Sequence, residues 1–194
     1  KKWELFCNTV KYKYIIMSIL KTNQITDLGG NNIISSNGSG TFTQTFAANT
    51  PAFYAYLSSS QSISANTATK ASIDTELFDS NNNYDNSSNY RYTPTVAGKY
   101  YVFAQLDLAS NSASTYKEGW VQIRKNGSSV VQSVMDMRNG YGFESFVNVN
   151  IVVDMNGSSD YLEVWGLMDD TGGTTRFYVR AQSNYFGAYR LIGA

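Results

Sequence analysis

Histidine is missing from the 194-residue chain. That excludes Ser-His-Asp and Cys-His nucleophilic systems and removes the commonest zinc ligand. One cysteine, Cys7, leaves no internal disulfide, so stability must come from a buried core and from assembly. No apolar run reaches the roughly 18 residues needed to cross a membrane as a helix. Glu4, Lys11 and Lys13 interrupt the first sixteen residues, which therefore do not read as a signal peptide. Lys+Arg 15 balances Asp+Glu 15, so there is neither a basic field for a phosphate backbone nor an acidic mimic of one. Nucleic acid and membrane insertion are not expected.

What the chain does contain favours strands. Tyr 15 and Phe 10 stand against Pro 2, and planar and β-branched side chains suit a pleated surface. Abundant Asn, Ser, Thr and Gly predict a polar, weakly charged exterior, of the kind that meets sugars, other protein faces or open medium. From Pro51 onward, strand-like runs alternate with turn clusters, and no segment keeps a helical period. The runs are Ala52–Leu57, Lys70–Phe78, Tyr90–Thr93, Lys99–Leu108, Glu118–Lys125, Ser129–Met137, Glu144–Asp154, Tyr161–Leu167, Thr175–Arg180 and Tyr185–Ile192. Asn126-Gly127, Asn139-Gly140, Asn156-Gly157 and Gly172-Gly173 punctuate them, and Asn-Gly supplies the positive φ that closes hairpins.

Alternation predicts which faces are buried. Val147, Val149, Ile151 and Val153 point one way while Asn148 and Asn150 point the other. Elsewhere both faces are apolar. Tyr100, Val102, Ala104 and Leu106 oppose Tyr101 and Phe103; Phe53, Ala55 and Leu57 oppose Tyr54 and Tyr56; Phe186 and Ala188 oppose Tyr185 and Tyr189. A two-layer sandwich needs one apolar face per sheet, so a second aromatic face is expected to be covered by another subunit. The plainer reading is that these tyrosines sit half-exposed and merely favour strand.

The N-terminal region reads differently. Residues 1–16 are rich in Lys, Asn, Tyr, Ile and Phe and precede Met17, so they are expected to be an upstream extension not made natively; the alternative is a tether docking through Trp3, Leu5 and Phe6. Residues 17–40, from Met17-Ser-Ile-Leu-Lys-Thr-Asn to Asn37-Gly-Ser-Gly40, resemble the opening of marine bacteriophage tail and fibre proteins. The resemblance implies a short strand pair, a glycine-rich joint, and a virion-attachment segment over 17–50 that meets other virion proteins. An ordinary N-terminal hairpin would show the same residues.

Phe53-Tyr-Ala-Tyr-Leu57, the Asn-rich loop through Tyr84-Asp85, Tyr90-Arg-Tyr-Thr-Pro-Thr-Val-Ala-Gly-Lys-Tyr-Tyr-Val-Phe103 and the closing Tyr185-Phe-Gly-Ala-Tyr-Arg-Leu191 resemble the globular head of complement component one subunit q and its tumour-necrosis-factor-like relatives. The resemblance covers residues 51–194. It implies an all-β, ten-strand jelly-roll sandwich that trimerises through the sheet holding its first, third and last strands. It places Tyr100 and Phe186 in the core and Tyr101, Phe103 and Tyr189 near the threefold axis; with Tyr54, Tyr56 and Tyr185 these form the expected interface. Gly187-Ala188 and Arg190 depart from the family pattern.

No catalytic constellation stands out. Asp136, Asp154, Asp160, Glu163, Asp169 and Asp170 supply carboxylates, but no spacing selects a glycosidase pair. Asp79-Ser-Asn-Asn-Asn-Tyr-Asp85 lacks the glycine and the final glutamate of a helix-flanked calcium loop, Tyr84 and Tyr90 standing there instead. Family members that bind calcium at the trimer apex make Asp169 and Asp170 a candidate metal pair. No other cofactor is expected. Loops around Tyr116, Tyr141, Phe143 and Trp165 are the candidate ligand surface, although Trp165 follows strand alternation and reads more readily as interface or core packing. The expected function is a non-enzymatic bacteriophage structural protein, a tail fibre, capsid fibre or knob on the particle surface, whose trimeric head adheres to a host glycan or protein. A secreted or surface-layer bacterial protein is the alternative, and a glycan-cleaving enzyme the third.

Overall fold

A computed structural model describes residues 24–39, 42–44, 49–112, 115–138 and 142–192. The chain divides into two compact units, residues 1–47 and 48–194. In the first, β1 (Gln24–Thr26), β2 (Asn32–Ser36) and β3 (Phe42–Gln44) form an antiparallel meander. Asp27 closes the first turn by accepting hydrogen bonds from the backbone N–H of Gly29 and Asn31, both at 2.8 Å. Asn37-Gly38 lies between β2 and β3, within the three-strand meander. Residues 1–23, including Cys7, lie outside the described residues.

The second unit carries β4 (Ala52–Tyr56), β5 (Gln61–Ile63), β6 (Thr69–Lys70), β7 (Thr75–Asp79), β8 (Tyr84–Asp85), β9 (Arg91–Tyr92), β10 (Gly98–Ser110), β11 (Tyr116–Lys125), β12 (Ser128–Asp136), β13 (Glu144–Met155), β14 (Leu162–Asp170), β15 (Thr175–Phe177) and β16 (Tyr185–Arg190). No helix occurs among the described residues. One sheet runs β5-β15-β10-β16-β4-β7, with β13 on the other side of β10; the second runs β12-β11-β14-β9-β8, with β6 also on β14. The first strand β4, the long β10 and the last strand β16 thus share one sheet, as the family resemblance implies.

The inner faces make one core. Tyr100, Val102, Ala104, Leu106, Phe186 and Ala188 are at most 1% exposed, which places the two residues expected in the core there. Phe53 joins the layers: its ring stacks on Tyr84 at 4.8 Å and Tyr92 at 4.3 Å and meets Phe186 edge-on at 4.9 Å. Burial of such rings, with offset and edge contacts, dominates the energy of a sandwich core.

Two features of the sequence mislead. The run Lys70–Phe78 is not one strand, because β6 pairs with β14 and β7 with β4, and Ala71–Asp74 carries the chain between sheets. Ala71 and Ile73, each 1% exposed, plug that crossing, and Asp74 accepts the backbone N–H of Ser58 at 2.8 Å. Second, of the three described glycine pairs only Asn126-Gly127, with φ of 52° and 82°, closes a two-residue hairpin. Asn156-Gly157 and Gly172-Gly173 sit where the chain passes from one sheet to the other, and Asn139-Gly140 lies outside the described residues. Local turn chemistry marks where a strand ends but not which sheet receives the next one.

Candidate functional site

The outer face of the first sheet gathers all six aromatic residues expected at an interface. Registered pairing across β13, β10, β16 and β4 sets them in rows: Val152, Tyr101, Tyr189, Ala52; then Asn150, Phe103, Gly187, Tyr54, continuing to Phe78 on β7; then Asn148, Gln105, Tyr185, Tyr56. The rings touch. Tyr54 stacks on Tyr185 at 5.7 Å, Phe103 lies 5.9 Å from Tyr101 and 6.2 Å from both Tyr54 and Tyr185, and Tyr101 meets Tyr189 at 5.5 Å. All six are half-exposed. Burial beside Tyr185 holds the Tyr54 phenol above its ordinary pKa, so it is neutral at physiological pH.

No charged residue stands in these rows. Charges flank them: Lys99 pairs with Asp154 at 2.7 Å at one end, and Glu144 with Arg180 at 2.6 Å near the other. Phe78, Phe146 and Val152, each about half-exposed at 51%, 49% and 50%, extend the apolar surface and were not singled out by alternation. Val152 had a signal, the unbroken Ile151-Val152-Val153 run. Phe78 had none, since a register shift between Tyr54 and Ala55 turns it to this face.

Gly187 is where the rows close up. A Cβ built there overlaps the Phe103 ring, so the glycine that departs from the family pattern is what lets Phe103 lie flat across β16. Gly187→Ala is expected to displace that ring and to cost about 1–3 kcal/mol as an overpacking change; urea denaturation measures it, and an unchanged midpoint would refute the contact.

Among the described residues, the other expected site residues are not brought together. Tyr116 is a core residue and not a ligand platform: it is 2% exposed, its hydroxyl lies 2.5 Å from Ser145 Oγ, and burial pushes its phenol up to about 12 although the Ser145 bond pulls it down. It packs over Gly119, where any side chain would collide with it. Tyr141 lies outside the described residues. Phe143 is 52% exposed and lines a recess of about 600 Å³ with Met137, Gly142, Glu144, Phe146 and Arg180. Trp165 stands half-buried on the outer face of the second sheet, donating to Glu163 Oε2 at 3.0 Å beneath the Arg124 guanidinium at 4.2 Å.

Asp169 and Asp170 alternate across β14, so their carboxylates face opposite sides of the sheet. Asp170 is spent on its own loop, accepting from Gly172 N at 2.9 Å, Gly173 N at 2.5 Å and Thr115 Oγ1 at 3.0 Å. Burial opposes its ionisation, but these donors outweigh burial and hold its pKa below the usual value. Among the described residues no group of three or more acidic or cysteine side chains converges as a metal site. In the Asn-rich loop, Asp79 accepts from Asn81 N and Tyr84 N, and Asp85 from Ser87 N and Ser88 N, so these carboxylates shape turns.

One carboxylate lacks such partners. Asp107 is fully buried and neither oxygen meets a donor. Burial first, then the negative charge of Glu144, raise its pKa to about 7 against the opposing charge of Arg180. The Ser183 hydroxyl is engaged elsewhere, donating to the Tyr178 carbonyl at 3.1 Å. A carboxyl whose folded pKa exceeds its unfolded value adds stability that is complete below about 3.8 and is lost as pH rises through about 7. Asp107→Asn is therefore expected to raise Tm at pH 8 by about 2–4 °C, with the gap closing by pH 4 in thermal melts.

No family model matches the chain, and no curated protein matches it. Solved structures do. The globular domain of zebrafish complement 1qA protein superposes with a TM-score of 0.51 at 14% identity, covering 73% of this chain and 96% of that one. The Eiger TNF from S. frugiperda superposes with a TM-score of 0.54 at 10% identity, covering 74% and 93%. The likeness is one of fold. The sandwich is a C1q- and TNF-like jelly roll, as the residues over 51–194 implied, and at these identities nothing further passes from those proteins to this one.

Proposed function

We propose that residues 51–194 form a homotrimeric, non-enzymatic binding head, closed by the aromatic outer face of the first sheet and displayed on a bacteriophage particle. The observation that supports assembly is the uncharged, registered run of Tyr54, Tyr56, Tyr101, Phe103, Tyr185 and Tyr189. A charge at such a face would be repeated by every copy around a common axis, and like charges brought together cost several kcal/mol. Here that penalty is absent, while aromatic rings are the residues most enriched at protein contacts. A ring of subunits uses the whole sheet face and leaves no open edge of the assembly.

Adhesion fits a trimer, because three weak sites on one head act together without a deep pocket in any one of them. The virion location rests on residues 17–40 alone, and host glycan or protein is the expected partner. Sedimentation equilibrium of the chain should give three times 21.5 kDa. A stable monomer at micromolar concentration would overturn the trimer, and absence of the protein from purified particles by mass spectrometry would overturn the virion role.

A further inference from the structure

We infer that the recess under the Asn-rich loop binds a neutral sugar through its neighbouring hydroxyl groups. The inference rests on the adhesion reading above and names its ligand class. The recess, of about 520 Å³, is lined from β7 at the edge of the first sheet and from β8, β9 and the loop between them in the second. That volume lies in the range of small-ligand sites. Amides and hydroxyls supply most of the wall, among them Asn83, Thr93 and Thr95, and the charges are Glu76, Asp85 and Arg91. None of the lining residues belongs to the aromatic rows assigned to assembly.

The groups without partners select the ligand. Glu76 and Arg91 line the same recess but do not reach each other, and among the described residues neither forms an ion pair; the Arg91 guanidinium lies 4.6 Å over the Tyr161 ring. The third charge, Asp85, is already held by Ser87 N at 3.1 Å, Ser88 N at 2.9 Å and Asn89 Nδ2 at 2.7 Å. Asn83 is 8% exposed, and its Nδ2 meets no acceptor. The Tyr92 hydroxyl beside it is also unmatched, and an amide turned onto that oxygen still leaves one N–H over. The recess therefore offers an acceptor in Glu76 and donors in Arg91 and Asn83, at separate points. A hydroxyl group donates and accepts at one oxygen, and a sugar carries such groups on adjacent carbons. An ammonium group uses Glu76, but it meets Arg91 and leaves the Asn83 donor unmatched. A carboxylate uses Arg91, but it meets Glu76 and Asp85. An apolar body strips water from the amides and pairs with none of them.

Saturation-transfer NMR of the full chain with the methyl glycosides of glucose, galactose, mannose and N-acetylglucosamine tests the site, with glucuronate and glucosamine as charged controls. At least one neutral glycoside should bind at millimolar strength, and both charged sugars at least about fivefold more weakly, because each sets a charge against one of its own sign. Asn83→Ala should weaken binding severalfold. Glu76→Ala, at a half-exposed position on an edge strand, should do the same and decides the matter if Asn83→Ala does not fold. The recess lies within one subunit, so a trimer that binds none of these glycosides refutes the sugar site alone, and a monomer that binds one refutes the trimer alone. No signal from any neutral glycoside, equal binding of the charged sugars, or full affinity in Glu76→Ala would each overturn the assignment.

Discussion

Phe103→Asp is expected to yield a folded head that no longer assembles, sedimenting at 21.5 kDa with an unchanged far-ultraviolet spectrum. Phe103 stands at the middle of the outer aromatic rows, touching Tyr54, Tyr101 and Tyr185, and contributes nothing to the core between the sheets. An isolated subunit therefore leaves an aspartate there in water at little cost. In an assembly the same carboxylate is taken out of solvent in every copy, with no cation in the surrounding rows to pair with it. The penalty is several kcal/mol for each ion, enough to lower association by many orders of magnitude across three subunits. Retention of the trimer by this variant would show that the copies meet elsewhere, and loss of β-structure would show that the face belongs to the subunit's own stability.

Phe53→Ala acts on the other side of the same sheet. The ring bridges the layers, lying against Tyr84 and Tyr92 of the second sheet and Phe186 of the first, and is 1% exposed. Tyr84 cannot follow it into the void, because its hydroxyl is held by the Ile73 carbonyl at 2.8 Å. A cavity that the walls cannot close costs about 3–5 kcal/mol for a phenylalanine, a large share of the roughly 5–15 kcal/mol that separates folded from unfolded domains. Urea denaturation should show the midpoint falling with the slope unchanged. A loss under about 1 kcal/mol would mean that the aromatic cluster is not the centre of the core.

The two variants separate what one sheet does with its two faces. Along β4, β10 and β16 the side-chain period of two was readable, so both the buried set and the outer aromatic set could be named from residues alone. Tyr116 and the Asp169–Asp170 pair were misjudged for a related reason. Asp169 and Asp170 are neighbours in the chain and therefore point to opposite sides of a strand, while Tyr116 occupies an inward position whose meaning depends on Gly119 and Ser145. Nothing local marks Asp107 as different from any other strand aspartate. It becomes unusual only because Glu144 and the 178–184 loop close over it.

By itself the sequence determined the all-β class, the strands with two apolar faces, the exclusion of histidine chemistry and the six aromatic residues at the centre of the outer sheet face, because each of these follows from composition or from the strand period. The tertiary structure decided which strands are neighbours, where Lys70–Phe78 breaks to cross between sheets, how a register shift brings Phe78 beside Tyr54, and which buried carboxyl is left without a donor. Those outcomes depend on contacts between residues far apart in the chain, and a period of two carries no information about partners at that distance.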